Sequence, residues 1–133
     1  MKKFILLFIL IPSISVAGSM NMMGKKGDPA EVDKVIKVKM YDNYYEPSEF
    51  KIEKNQTIKF IVYNYGELVH EFNIATKKMH LKHQPEMMKM VENEILLGDR
   101  IDKKKMKELS KEDQSMSHSH NNSVLLEPNE SAE

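Results

Sequence analysis

Several residue types that define common functional classes are absent from this chain or scarce in it. The 133 residues include no cysteine, and Arg100 is the single arginine among 20 basic residues. Without cysteine, these residues supply neither a disulfide nor a thiolate. The 20 basic residues are balanced by 20 acidic ones, so the clustered positive charge that nucleic-acid binding requires is missing. We therefore expect no nucleic-acid partner.

Recognisable catalytic motifs are also missing. The sequence contains no glycine-rich phosphate loop, no cysteine nucleophile and no His-Glu-x-x-His pair. The adjacent His70 and Glu71 are too little to indicate acid–base catalysis. We predict that the protein is not an enzyme, and no residue is assigned a catalytic role.

The apolar run at the amino terminus is too short to span a membrane. It covers residues 4–11, follows Lys2 and Lys3, and precedes the small residues Ser15-Val16-Ala17. A membrane-spanning helix needs about 20 apolar residues, whereas this arrangement is typical of a secretory signal peptide. We predict a signal peptide over 1–17, cleavage after Ala17, and no membrane insertion after cleavage. An uncleaved anchor is the alternative, and N-terminal sequencing distinguishes the two.

After a polar arm at 18–33, the sequence alternates between apolar and polar residues with a period of two. This pattern predicts four β-strands, over residues 35–41, 50–53, 58–64 and 68–74. Proline in the segment 44–48 indicates a connection, and residues 54–56 and 64–66 are turn sequences, with Asn55 suited to a left-handed conformation. Four strands with short turns predict an all-β sandwich.

A helical pattern replaces the alternation after Thr76. Pro85 suits a first helical position, the spacing of Met87 and Met90 suits one helix face, and Gly98 suits a stop. A second short helix is expected over 103–109, capped by Asp102. Residues 110–123 are low in apolar side chains and are predicted to be disordered. Residues 124–126 begin a strand, and 128–130 turn into another.

Six segments resemble the bacterial periplasmic cupredoxin family, which includes the plastocyanin- and azurin-like proteins. The most specific is Val69-His70-Glu71-Phe72, which resembles the His-Glu-Phe signature of the family. Residues 27–30 with 35–41 resemble its opening, 46–52 its second strand, and 85–90 a Met-rich helical insertion after the fourth strand. Residues 122–130 resemble the segment before its last two strands, where the family normally has glycine at the position of Asn129.

The resemblance implies a Greek-key β-sandwich over 34–133 and copper as the cofactor. In that family one histidine comes from the His-Glu-Phe strand, and cysteine, a second histidine and methionine come from the final hairpin. Thiolate and imidazole with a weak thioether suit one-electron exchange. The resemblance makes His70 the first ligand, and the other three have no counterpart here. We therefore expect a chain truncated before its last strands, with an incomplete type I site.

The family role implied is periplasmic electron transfer or copper handling, with a redox or copper-handling protein of the periplasm as partner. Alternatives remain open. The sandwich could instead be a non-metal module that binds another protein, or the chain could be the non-functional product of a truncated gene. A sandwich without its last strands exposes edges and core, so we expect marginal stability unless a partner supplies them.

Two further groups of metal-ligand side chains have ordinary structural interpretations. His83, Met87 and Met88, with His80 and Met90 nearby, offer imidazole and thioether groups that suit copper(I), but methionines at helical spacing usually fill a core. Met116, His118 and His120 could chelate weakly, although a solvated loop is the favoured interpretation. Glu71 is expected either at the surface or supporting a metal ligand.

Overall fold

The computed structural model describes residues 24–133 and contains six strands, two α-helices and a short 3₁₀ helix. The predicted signal peptide, and residues 18–23 of the arm with Met20, Met22 and Met23, lie outside the described residues. The strands are β1 (Lys34–Met40), β2 (Tyr45–Glu46), β3 (Ile58–Asn64), β4 (His70–Asn73), β5 (Ser123–Leu126) and β6 (Ser131–Ala132). The helices are α1 (Lys77–Glu92), α2 (Lys103–Leu109) and the 3₁₀ helix (Gln114–Ser117). No helix within 24–133 is long and apolar enough to cross a membrane.

The strands form two sheets, one with the order β2-β1-β3-β6 and one that pairs β4 with β5. Strands β1 and β3 run parallel, with Ile36 opposite Phe60, and the other pairs are antiparallel. Alternate residues of β1 point inward because strand side chains alternate between faces. Their inward side chains meet those of β3 and β5 in a first core, formed by Ile36, Val38, Met40, Val62 and Leu126. The arrangement is the predicted β-sandwich, and it is not a closed barrel.

A second core lies beside the sandwich and holds the helical segment in place. It consists of Met90, Ile95, Ile101 and Met116. Met90 and Ile95 are fully buried, and fully burying such a side chain contributes about 1.5–3 kcal/mol. The second core therefore fixes α1 and the 3₁₀ helix relative to each other.

An open groove of about 640 Å³ runs along one side of the sandwich. Apolar side chains from both sheets line it, among them Phe60, Phe72, Val124 and Ala132. Strand β6 pairs with only two residues of β3, Val62 and Tyr63.

The strand predicted over 50–53 is absent, and a strand forms instead within the predicted connection at 44–48. Tyr45 and Glu46 pair with the end of β1, after a turn closed by a hydrogen bond from the Tyr41 amide to the Tyr44 carbonyl. Phe50 and Ile52 remain 38% and 43% exposed. Alternation of apolar and polar residues is a local pattern. A strand also needs a neighbouring strand for its backbone hydrogen bonds, and residues 50–53 have none among residues 24–133.

The predicted start and stop of the first helix were wrong. Helix α1 begins at Lys77, where the Thr76 hydroxyl accepts a hydrogen bond from the Met79 amide at 3.2 Å. That cap sets the start, and Pro85 therefore lies inside the helix. The helix ends at Glu92 with Asn93 as its C-cap, well before Gly98. The second helix was predicted correctly: α2 spans Lys103–Leu109, and the Asp102 carboxylate caps it.

Residues 110–123, for which the sequence predicts disorder, contain the 3₁₀ helix and pack against the second core. Met116 is buried in the second core, and the Asp113 carboxylate accepts hydrogen bonds from both the amide and the hydroxyl of Ser115. The segment has few apolar residues, but its polar groups find partners inside the fold.

Candidate metal sites

His70 opens strand β4 at one end of the sandwich. Its Nε2 lies 2.9 Å from the Asp42 Oδ1 atom, its side chain is 14% exposed, and its ring meets the Tyr45 ring edge-on. Among residues 24–133, no hydrogen bond is found to the Nδ1 of His70. One ring nitrogen is thus held by a carboxylate while the other has no protein partner in the described part of the chain.

The Asp42 carboxylate connects His70 to the turn that precedes it. It accepts hydrogen bonds from the amides of Glu67 and Leu68 as well as from the imidazole. The hydrogen bond from His70, followed by the one from the Glu67 amide, lowers the pKa of Asp42 below its ordinary value. The carboxylate therefore stays charged and fixes the orientation of the ring.

Buried Asn64 organises the other side of the same turn. Its side-chain amide donates to the carbonyls of Leu68 and Leu126 at 2.8 and 3.0 Å, and its oxygen accepts from the Gly66 amide at 2.9 Å. These bonds tie the turn before His70 to β5. They fix where β4 begins.

Three histidines meet in a second cluster on the opposite face of β4. His83 comes from α1, His118 follows the 3₁₀ helix, and His120 precedes β5. One ring nitrogen from each lies within 4.8 Å of the others, and the ring centroids are 4.9–5.2 Å apart. His118 adopts a left-handed conformation with φ 47°, and its side chain is 4% exposed.

Two carboxylates face this three-histidine cluster. The Glu71 Oε1 atom lies 3.0 Å from the Nε2 of His83 and 3.1 Å from the Nε2 of His118. The Glu86 Oε2 atom lies 2.9 Å from the Nδ1 of His83 and 3.1 Å from the Nε2 of His120. The cluster is therefore a continuous network of imidazole and carboxylate groups.

The network keeps both carboxyl groups ionised. Burial pushes the pKa of Glu71 upward, but the hydrogen bond from His118 and the nearby charges of His83 and His118 outweigh it. The pKa of Glu86 is also lowered, because its hydrogen bonds and charge interactions with His83 and His120 outweigh burial. Glu71 is consequently a half-buried acid that serves two histidines, and it is not the surface acid that the sequence suggested.

The structure does not bring the predicted ligands together in one place. His70 and Glu71 are adjacent in a strand and therefore point to opposite faces, and His83 contacts Glu71. Met87 packs against the second core, and Met88 is 56% exposed. His83 is thus the one member of its predicted group that lies among other metal-ligand side chains.

The sequence favours a solvated loop for His118 and His120, whereas the structure places both in this cluster. The sequence shows that His118 and His120 are close together. It gives no sign that His83, which lies 35 residues before His118, joins them. Glu86 is the further member of the cluster that the sequence analysis above does not single out. It stands one helical turn from His83, and that i,i+3 spacing was the available signal.

Comparison with known proteins agrees with the predicted sandwich. A family model described as a cupredoxin-like domain matches residues 10–99. The chain is 31% identical over 116 residues to the copper-resistant cuproprotein CopI of Pseudomonas aeruginosa, covering 83% of this chain and 64% of that protein. It is 32% identical over 94 residues to CopI of Vibrio cholerae, covering 68% of this chain and 56% of the relative. No solved structure matches the chain.

The protein belongs to the cupredoxin-like family. The chain spans less than two thirds of the length of the curated relatives it matches, including 41% of CopI from Rubrivivax gelatinosus, to which it is 29% identical.

Proposed function

We propose that the protein is exported to the periplasm and handles copper there, with His70 as a ligand. The role is binding and not catalysis. Its partner would be another periplasmic protein that delivers, accepts or oxidises copper. Support comes from the cupredoxin-like family match and from relatives whose names describe copper-resistant cuproproteins.

The carboxylate-oriented imidazole of His70 carries this proposal. Histidines that bind metals almost always donate their second ring nitrogen to a carboxylate, carbonyl or water, which fixes the ring and raises its basicity. Asp42 occupies that position at 2.9 Å from the Nε2 of His70. This leaves Nδ1 for a metal, at the strand start where the family resemblance puts its first ligand.

The donors present fit copper only in part. Imidazole is a good copper ligand, but a type I site also needs thiolate, and the 133 residues contain no cysteine. These residues therefore do not supply the complete set of ligands for a type I copper site. We therefore propose copper carriage or buffering through His70, in preference to electron transfer.

Copper(I) titration followed by NMR of the histidine rings tests the proposal. Copper(I) is diamagnetic, and the five histidines give separate ring signals that His70→Gln identifies. We expect the His70 signals to move as copper(I) is added and the affinity to fall in His70→Gln. His80→Gln, which alters an exposed histidine on α1, should behave like the unchanged protein.

Two results would remove His70 from the proposed function. One is a His70 ring signal that does not move when copper(I) binds. The other is an unchanged affinity in His70→Gln, with thermal unfolding showing that the variant is folded.

A further inference from the structure

Three atoms around β4 already have the spacing of metal ligands. The Nε2 atoms of His83 and His118 are 3.3 Å apart, and the Glu71 Oε1 atom lies 3.0 and 3.1 Å from them. A tetrahedral ion with metal–nitrogen bonds of about 2.0–2.1 Å places its ligands about 3.3 Å apart. These atoms therefore form one nearly equilateral face of such a tetrahedron.

His120 and Glu86 complete the surroundings of this face. The His120 ring stands almost perpendicular to the rings of His83 and His118, at centroid distances of 4.9 and 5.2 Å, and it can supply the fourth ligand. The Glu86 carboxylate holds the Nδ1 of His83 at 2.9 Å. That contact orients the His83 ring so that its Nε2 points into the cluster.

An ion can reach the cluster from the surface. A cleft of about 260 Å³ is lined by His83, Glu86 and His120, together with neighbouring residues of α1 and β5. The His120 side chain is 34% exposed at this cleft, whereas His118 is almost completely buried behind it. The arrangement offers one exposed ligand, His120, at the entrance and three less exposed ligands, His83, His118 and Glu71, inside.

We infer that His83, His118, His120 and Glu71 form a binding site for a borderline divalent cation, copper(II) or zinc. The donors are imidazole nitrogens and a carboxylate oxygen, which suit these ions. Copper(II) is expected to bind more tightly than zinc, following the general order of divalent-metal affinities. The site is separate from His70 and does not depend on the function proposed above.

A bound ion would join three parts of the chain that are distant in sequence. The ligands come from α1, from the segment after the 3₁₀ helix and from β4. Because binding to the folded state alone stabilises it by mass action, the unfolding temperature should rise with ion concentration. A hydrogen-bond network that needs no metal is the competing interpretation of the same contacts.

Zinc and copper(II) titrations of the purified chain test the inference. Calorimetry gives the affinity for each ion, and NMR with diamagnetic zinc shows which histidine rings respond. We expect the first equivalent of zinc to move the ring signals of His83, His118 and His120 and to leave those of His70 and His80 in place. The unfolding temperature should rise with either ion.

Four variants separate the site from its surroundings. His118→Asn is suited to the left-handed backbone there, and Glu71→Gln keeps the shape of the carboxylate; each should weaken zinc and copper(II) binding by at least about tenfold. His80→Gln, at an exposed position of α1, should bind both ions as the unchanged chain does, and His70→Gln tests whether the ion sits at the other end of β4 instead. Circular dichroism without metal checks folding. If His118→Asn does not fold, His120→Asn at the more exposed position replaces it.

Zinc that moves none of the three ring signals would overturn the inference, and the network would then be structural only. Unchanged affinity in folded His118→Asn and Glu71→Gln would do the same. Loss of zinc binding in His70→Gln would show that the ion sits at the other end of β4.

Discussion

At the scale of single residues, side-chain partners decide what His70 and His83 can do. A histidine on a strand is usually satisfied by backbone or solvent, and neither residue type nor burial makes it a ligand. His70 has one nitrogen held by Asp42, whereas both nitrogens of His83 face carboxylates. An imidazole at position 70 therefore keeps one ring nitrogen that could bind a metal, whereas the imidazole at position 83 has both nitrogens in contact with carboxylates.

Asn64 is the residue whose loss should most disturb the His70 end. Replacing it with alanine leaves the carbonyls of Leu68 and Leu126 and the amide of Gly66 without their partner. Since leaving a buried polar group unsatisfied costs about 1–3 kcal/mol, we expect Asn64→Ala to lower the free energy of unfolding by about 2–4 kcal/mol. Urea denaturation measures it.

Exposed Asn121 provides the control for that experiment, because it makes no side-chain hydrogen bond within residues 24–133. Asn121→Ala should change stability by less than about 0.5 kcal/mol. Equal stability of Asn64→Ala and the unchanged chain would show that the hydrogen bonds of the Asn64 side chain make no net contribution to the free energy of unfolding.

At the scale of elements, helix α1 is built around a local conflict. Its cap at Thr76 and its buried Met90 favour a continuous helix, while Pro85 cannot donate the hydrogen bond that would reach the Leu81 carbonyl. The packing of Met90 in the second core overrides that defect. His83 and Glu86 lie on either side of Pro85, so the helix must be continuous through Pro85 for their side chains to stay in contact.

We predict that Pro85→Ala stabilises the protein. Alanine restores the missing amide and has a higher helix propensity, so the free energy of unfolding should rise by about 1–3 kcal/mol. Thermal and urea denaturation provide the measurement. Gln84→Ala, at an exposed neighbouring position, is the matched control and should change stability little. A less stable Pro85→Ala variant would mean that proline shapes the packing of this helix favourably.

Element assignment from sequence succeeded where the signal was local and complete. Asp102 gave a correct start for α2 because an N-cap satisfies orphan amides within four residues. Asn55 adopts the left-handed conformation predicted for it, with φ 68°. Phe50 and Ile52 alternate equally well but form no strand, since β1 pairs with β2 and β3 instead.

At the scale of the whole molecule, carboxylates join segments far apart in sequence. The Glu130 carboxylate accepts a hydrogen bond from the Glu127 amide at 2.9 Å and another from Lys103 at 3.1 Å. The amide hydrogen bond, followed by the one from Lys103, lowers the pKa of Glu130 below its ordinary value of 4.5. This contact links the start of α2 to the turn before β6.

Stability should therefore fall in acid. Because the folded-state pKa of Glu130 lies below the unfolded one, its contribution is fully present above about pH 4.5 and is lost as the pH falls through the folded-state value. In Glu130→Gln, stability at neutral pH should be lower, and the decline below about pH 4.5 should be shallower. Urea midpoints across this range measure both effects.

Glu112→Gln is the control for the acid experiment, because Glu112 is exposed and forms no ion pair within the described chain. Its pH profile should match that of the unchanged protein. If the profiles of Glu130→Gln and the unchanged protein coincide, then Glu130 is not coupled to folding.

The sequence alone determined most strands of the sandwich, helix α2, and the strand that carries His70. These features follow from alternation, caps and turns, which act over a few residues. Tertiary structure decided that His83, His118 and His120 meet beside Glu71, and that Met116 of a polar segment packs in the second core. The contacts of His118 with His83 and Glu71 span 35 and 47 residues, and they depend on how the second core packs helix against sheet, which no local pattern encodes.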